Sequence, residues 1–257
     1  MVKVAISTPA YGEIFYTSYV ESVLRLVRVL EQKKWASYFT TISYADIVES
    51  RNYLLTRWFD KTNATHLLFV DADMGFDTQL VLDMIALDQP VVGVVSPKRQ
   101  IDLEKLARLS ADGLPAVNAQ ATAHTFIVRH KAGAKADRRG FIEVNSCGSG
   151  IMLIRRDCVA HMLQAQPELS DANAPGTSPL AKDLSRLIRA FDPLFVDGAR
   201  LSEDFSFCHR WRQCGGQVWA NVAHEITHVG LHRYKARYND RTPTRVVVRD
   251  KPVTTRR

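Results

Sequence analysis

Long apolar runs are missing from this chain of 257 residues. Its most hydrophobic stretches, such as "HLLFV" and "VVGVV", fall far short of the ~20 residues a membrane-spanning helix needs, so no such span is expected. Cysteine is scarce: Cys147, Cys158, Cys208 and Cys214 are the full set. They form no C-x-x-C pair, no zinc knuckle and no disulfide framework, and read as reduced thiols in a cytosolic protein. The opening "MVKVAISTPAYGE" lacks the apolar core of a secretory signal. The location expected is therefore the cytoplasm, or its membrane face. No repeat and no low-complexity linker divides the chain.

Acidic residues are in deficit. Lys and Arg number 34 against 27 Asp and Glu, a formal charge of +7. That balance favours polyanionic partners, namely nucleotides or phospholipid headgroups. Nucleic acid is not expected, because no recognised binding module accompanies the charge. The basic end, residues 236–257, reads either as a frayed solvated tail or as a phosphate- or membrane-facing segment.

What is present is ordinary globular material, 46% hydrophobic and 24% charged. "VKVAIST" alternates as a strand, and a helix follows with Val20, Val23, Leu24, Val27 and Leu30 at helical spacing. "SYFTTISYA" is a second strand. "DIVESRNYLLTRWFDKT" is a helix with Asp46 placed to cap it. "THLLFV" is a central strand, "DTQLVLDMIALD" a helix and "PVVGVVSPKR" another buried strand. This alternation predicts an α/β fold with a mostly parallel, helix-covered sheet. Ligands of such sheets bind beyond the carboxyl ends of the strands, which singles out "TPAYGE" and "DADMGFD". The second half is less regular. "SDANAPGTSP" reads as a turn-rich loop, and "EDFSFCHRWRQCGG" as a helix closed by its glycine pair.

The apolar third strand ends in Asp71-Ala72-Asp73. Alternate residues of an extended chain point the same way, so both carboxylates are expected to face one ligand. Such a pair suits Mg²⁺ or Mn²⁺, which in turn would neutralise a diphosphate. Taken alone, D-x-D is also an ordinary solvated turn. Glu203-Asp204 opens a helix with Ser202 as its expected cap, and alone it would simply complement the helix dipole.

"HEITHVGLH", residues 224–232, fits the zinc-protease pattern H-E-x-x-H. That chemistry needs both histidines on one helical face. Here a Gly-Gly break and alternating "QVWANV" precede the motif, and Gly230 follows it, so a helix is not expected. The longer metzincin pattern, with Gly at three and His at six residues past the second His, also fails: Gly230 comes at two and His232 at four.

Taken together, the chain resembles the GT-A glycosyltransferases, which use nucleotide-sugar donors and carry D-x-D after an apolar strand, as "LLFVDAD" does. Further likeness lies in "ISTPAYGE", "VESRNYLL", "CGSGIMLIRRD" and "LSEDFSFCHRWRQCGGQVWA", over about residues 2–230. The resemblance implies a nucleotide-diphospho-sugar transferase fold over 1–235, with a nucleotide half at about 1–100 and an acceptor half at about 101–235. It implies sugar transfer from a UDP- or GDP-sugar to a glycan, lipid-linked glycan or protein. Asp204, with Glu203 as second choice, would be the base of an inverting reaction. His228, in "THVG", would complete a metal site with Asp71 and Asp73. Thr8, Pro9, Ala10 and Tyr11 would approach the nucleoside, Arg51 a phosphate and Asn52 a ribose or sugar hydroxyl, beside Ala72. Ser149 and Gly150 would line the acceptor side. The rival readings are a nucleotidyltransferase, although "TPAYGE" lacks the usual basic residues, and a nucleotide- or polyanion-binding protein without turnover.

Overall fold

The computed structural model describes residues 1–231; the basic tail, 236–257, lies outside them. In chain order, strand β1 (Lys3–Pro9) leads to helix α1 (Thr17–Gln32), β2 (Ala36–Ile42), α2 (Ile47–Lys61) and β3 (His66–Val70). A three-residue strand β4 (Met74–Phe76) precedes α3 (Thr78–Leu87), β5 (Val91–Val94) and β6 (Pro97–Ile101). Then come α4 (Leu103–Ala111), α5 (Ala116–Ala123), β7 (His124–Phe126), β8 (Val128–His130), β9 (Phe141–Arg155) and α6 (Arg156–Ala165). Small ladders follow, β10 (Ser170–Asp171) with β11 (Leu187–Ile188) and β12 (Phe195–Val196) with β13 (Ala199–Arg200). Between β10 and β11 lies the one-turn helix α7 (Ala174–Thr177). Helix α8 (Glu203–Gln213), β14 (Val218–Asn221) and β15 (Ile226–His228) complete the order.

The main sheet runs β14-β5-β9-β3-β1-β2, with β8 added to β9. β1 is parallel to β2 and β3, and β14 to β5. The long β9 is antiparallel to both β3 and β5, so it is inserted between strands that otherwise run one way. The expected α/β class with a mostly parallel, helix-covered sheet holds, and β9 is the one reversal the alternation of elements did not announce. Its two flanks explain its composition: Ile151 to Ile154 pair across to Leu67–Val70 and are buried on both faces. One apolar cluster packs Trp58, Phe69, Phe191 and Phe207 on one face of the sheet; another packs Leu26, Leu30, Leu68 and Phe141 on the other.

Helix ends follow local chemistry. Asp46 caps α2 as expected, accepting from the amides of Val48 at 2.8 Å and Glu49 at 3.2 Å. The glycine pair after α8 serves two needs. Gly215 takes the left-handed conformation at φ +82°, and a Cβ on Gly216 would stand 2.0 Å from the Trp211 ring. In α1 the buried stripe is Tyr19, Val23, Leu26 and Leu30, whereas Val20 and Leu24 face solvent. Two apolar stripes were compatible with helical spacing, and packing against the sheet selected one. "SDANAPGTSP" is not simply a loop: it holds α7, whose Ala174 is fully buried.

Candidate functional site

The parallel strands end on one side of the sheet, and the predicted site residues gather there. The turn after β3 is closed by the Met74 amide donating to the Asp71 carbonyl at 3.0 Å. The chain is therefore not extended across Asp71-Ala72-Asp73, and the expected alternation does not apply. The two carboxylates take different partners. One guanidinium nitrogen of Arg51 donates to both oxygens of Asp71, at 2.9 and 3.1 Å. Asp73 Oδ2 accepts from Arg99 Nη1 at 3.0 Å and lies 3.5 Å from His228 Nε2.

His228 arrives through a short ribbon. β15 pairs antiparallel with β4, setting His228 against Met74, and the Val229 amide donates to the Asp73 carbonyl at 2.9 Å. Gly75 permits this approach, since a Cβ there would meet Ser18 Cβ at 2.9 Å and Thr227 Cβ at 3.2 Å. The segment "HEITH" is thus partly strand, not helix. Its histidines part company: His224 Nε2 lies 3.2 Å from Asp83 Oδ2, far along the chain from the Asp73 contact of His228. That arrangement is incompatible with the single helical face a zinc protease requires.

Asp73 and His228 stand close enough to hold one cation between them. The Pro97 carbonyl accepts from His228 Nδ1–H at 2.7 Å, which leaves Nε2 directed at Asp73: the protonated ring donates Nε2–H to that carboxylate, and the neutral ring has an Nε2 lone pair free for a cation. The Asp73 hydrogen bond draws the His228 pKa up against burial. Burial raises the Asp73 carboxyl, but His228 and Arg99 together hold it below the usual carboxylate range. The carboxylate suits Mn²⁺ or Mg²⁺ and the imidazole favours Mn²⁺ of the two; two protein ligands would leave the remaining positions to water or a bound ligand. Asp71 does not join them: its carboxylate is taken by Arg51. Among the described residues no three His, Cys, Asp or Glu side chains gather as a metal cluster.

A cavity of about 460 Å³ opens over this turn. Pro9, Tyr11, Ile14, Tyr16 and Ile47 give it an apolar wall; Asp71, Asp73 and Arg99 give it a polar one. Of the loop expected at the nucleoside, Pro9 and the exposed Tyr11 line this space. Thr8 and Ala10 are corrections. Both are buried, and the Thr8 hydroxyl is hydrogen-bonded to that of Tyr19 at 2.6 Å.

Arg51 and Asn52 are also corrections. Both are buried in α2 rather than open to a phosphate or ribose. Asn52 Nδ2 donates to Asp192 at 2.7 Å and its oxygen accepts from the Phe191 amide at 2.9 Å, which commits the amide to the 191–192 turn. Arg51 lies over the Phe69 ring, 5.3 Å from its centroid, and its Nε is 3.6 Å from Glu203 Oε1. One buried cation thereby links the turn after β3 to the start of α8.

At that start, Ser202 occupies the cap position without capping by side chain: its hydroxyl donates instead to the Asp204 carboxylate. Asp204 Oδ1 also accepts from the Phe205 amide at 2.7 Å. Burial, reinforced by Glu203, pushes the Asp204 carboxyl up to about 6. A Cβ on Gly148 would stand 3.6 Å from Asp204 Oδ2, so β9 passes close to that oxygen. Gly150 backs the other acid: its carbonyl accepts from the Asp71 amide at 2.8 Å, and a Cβ there would sit 3.3 Å from Asp71 Oδ2. The Ser149 hydroxyl is buried without a partner among the described residues.

Sequence reasoning passed over Arg99. The available signal was "PKR" just past the end of β5, on the side where ligands of such sheets bind.

No protein-family model and no curated protein matches the chain. Solved structures do. Protein A197 from STIV is 14% identical at a TM-score of 0.44, covering 93% of this chain and 100% of its own. A Drosophila β-1,4-galactosyltransferase 7 mutant, in complex with manganese, UDP-Gal and xylobiose, is 14% identical at 0.45, covering 90% and 72%. A UDP-glucose pyrophosphorylase complexed with UDP-glucose is 9% identical at 0.43, covering 88% and 92%. Similarity at this level assigns no activity, and the functional reading rests on the side-chain geometry above.

Proposed function

We propose that this protein is a metal-dependent glycosyltransferase that moves a hexosyl group from a UDP- or GDP-sugar to a glycan, lipid-linked glycan or protein, with inversion. The observation that carries the reading is the meeting of Asp73 and His228 at a cavity beyond β3, with Arg51 linking that turn to the Glu203–Asp204 pair. In this reading residues 1–100 hold the donor and 101–235 the acceptor.

Each group has a role set by its surroundings. Tyr11, Ile14 and Ile47 offer the nucleoside an apolar wall. Asp73 and His228 would hold Mn²⁺ or Mg²⁺; when bound, the cation neutralises charge on the diphosphate leaving group. Asp71 is held back by Arg51 and tunes that site through the turn. Asp204 takes the acceptor proton, and a carboxyl titrating near 6 is a better base at neutral pH than an ordinary aspartate. Ser149, a buried hydroxyl without a protein partner, is suited to a hydroxyl of the acceptor. The four free thiols and the +7 charge support a cytoplasmic setting with contact at the inner membrane face.

The test is a thermal-shift panel of nucleoside diphosphates and nucleotide sugars with and without Mn²⁺. Stabilisation by a nucleoside diphosphate should require the metal, and Asp73→Ala should remove that requirement in a folded protein. Metal-dependent affinity that survives the substitution would refute the assignment. Turnover should release nucleoside diphosphate; release of pyrophosphate would instead make the protein a nucleotidyltransferase.

A further inference from the structure

Arg99 stands where a cation would be wanted. Its Nη1 is 3.0 Å from Asp73 Oδ2, the same oxygen that His228 Nε2 approaches at 3.5 Å. A metal ion held by Asp73 and His228 needs this oxygen, so it must compete with the guanidinium. Unlike Arg51, Arg99 is free to yield. Its side chain is 54% exposed, against 3% for Arg51, so water can take over its charge when it leaves Asp73.

We infer that Arg99 is an exchangeable latch: it occupies Asp73 until a metal–nucleotide arrives, then turns onto the diphosphate. The inference rests on the glycosyltransferase reading and adds a residue to it.

Two independent features support the exchange. The first is charge. Arg99 is the only cationic side chain among the described residues on the wall of the 460 Å³ cavity. Arg51 is already engaged by Asp71 and Glu203. A diphosphate entering that space therefore finds one protein cation to receive it. Arg99 also lines the neighbouring cavity of about 390 Å³, beside Lys98, His124 and His228, so its guanidinium has room on both sides of the partition.

The second is space. Gly230 has no positive φ, so its backbone conformation does not call for glycine. Its surroundings do: a Cβ there would stand 2.7 Å from Arg99 Cδ and 3.1 Å from both Cβ and Cγ. The glycine of "HVG" leaves room for the stem of Arg99. One short segment thus brings His228 to Asp73 and admits the arginine that competes with the metal.

A latch of this kind makes metal and nucleotide bind as a pair. Metal alone must displace the guanidinium with nothing to receive it; nucleotide supplies the receiver, so each ligand favours the other. Arg99 is a positioning residue for donor and metal.

The experiment is titration of the full-length protein with Mn²⁺, following the free-ion electron paramagnetic resonance signal, without nucleotide and with UDP or GDP. Wild type should bind Mn²⁺ weakly alone and more tightly with nucleotide. Arg99→Gln should bind Mn²⁺ alone roughly 5-fold or more tightly than wild type, the low end of ordinary coupling between sites, and should lose most of the gain from nucleotide. A merely structural role would not tighten metal binding. Arg99→Lys should restore the wild-type pattern in part. Unchanged or weaker Mn²⁺ binding by nucleotide-free Arg99→Gln, with binding abolished by Asp73→Asn, would overturn the latch and leave the metal site standing. Undiminished Mn²⁺ binding by Asp73→Asn would overturn the metal site, and the latch with it.

Discussion

Asp71 and Asp73 stand two residues apart on one turn, yet the arginines that meet them live in opposite surroundings. Arg51 is buried in α2, stacked on Phe69 and shared with Glu203. Arg99 is half-exposed on β6 and holds a single oxygen that a histidine also approaches. The Arg51 pair belongs to the architecture, because a guanidinium this buried would be stranded away from water without its carboxylates. The Arg99 pair is exchangeable, because solvent compensates the exposed guanidinium when it leaves Asp73. Both acids line the cavity but divide the labour: Asp71 ties the strand end to α8, and Asp73 meets His228 and Arg99.

The sharpest way to probe the buried side is at its far end. Asp204→Asn preserves shape and the acceptor oxygen for the Phe205 amide, so donor and metal should still bind. Transfer should slow by ~10²–10⁴-fold, the usual scale for losing an acid–base group. Steady-state transfer with separate measurement of donor affinity checks this; near-normal transfer would mean the acid only orders α8. In wild type, kcat/KM should fall as pH drops below about 6, where the Asp204 carboxyl becomes protonated.

Next in size is the architectural pair. Arg51→Ala leaves Asp71 and Glu203 facing each other without their cation, and chemical denaturation should show a loss of roughly 3–5 kcal/mol. Arg99→Gln should be close to neutral in the same assay. Equal losses at the two sites would erase the distinction between them.

Asp204 also makes a stability prediction of the opposite sign. Its folded carboxyl titrates near 6, above the ~3.9 of an unfolded aspartate, so the native state binds the extra proton between those values. Stability should therefore fall as pH rises from about 4 to above 6. Asp204→Asn removes that cost and should stabilise the protein at pH 7 by on the order of 1–3 kcal/mol, while it slows transfer. A destabilised Asp204→Asn at pH 7 would show that the carboxylate is needed for folding.

The smallest effect is expected from the residues of the false zinc motif. Glu225→Gln and His224→Ala should leave donor turnover largely intact, whereas His228→Ala should weaken metal binding. His224 contacts Asp83, and only His228 reaches Asp73. Stoichiometric tightly bound zinc, with peptide cleavage abolished by Glu225→Gln, would reverse this.

The elements of the first hundred residues were readable because their signals are local: alternation in β1, the Asp46 cap on α2 and the apolar run of β3. From these, and the place where such sheets bind ligands, Asp73 and the loop carrying Tyr11 could be picked out. The non-helical character of "HEITH" followed from the glycines around it. Side-chain direction was less legible. Thr8, Arg51 and Asn52 lie next to the right places in sequence but point into the core, since nothing local to them says which face of strand or helix is covered.

By itself, then, the sequence determined which segments become strands and helices, the α/β class, and the acids that end one strand and begin one helix. Those depend on interactions between residues a few positions apart. Tertiary structure decided the insertion of β9 against its neighbours, the arrival of His228 through the β4–β15 ribbon, and the choice of Arg51 for Asp71 and Arg99 for Asp73. Each brings together residues 20 or more positions apart. Charge alone permits any arginine to meet any aspartate; only the packed sheet, by burying one arginine and exposing the other, assigns the partners.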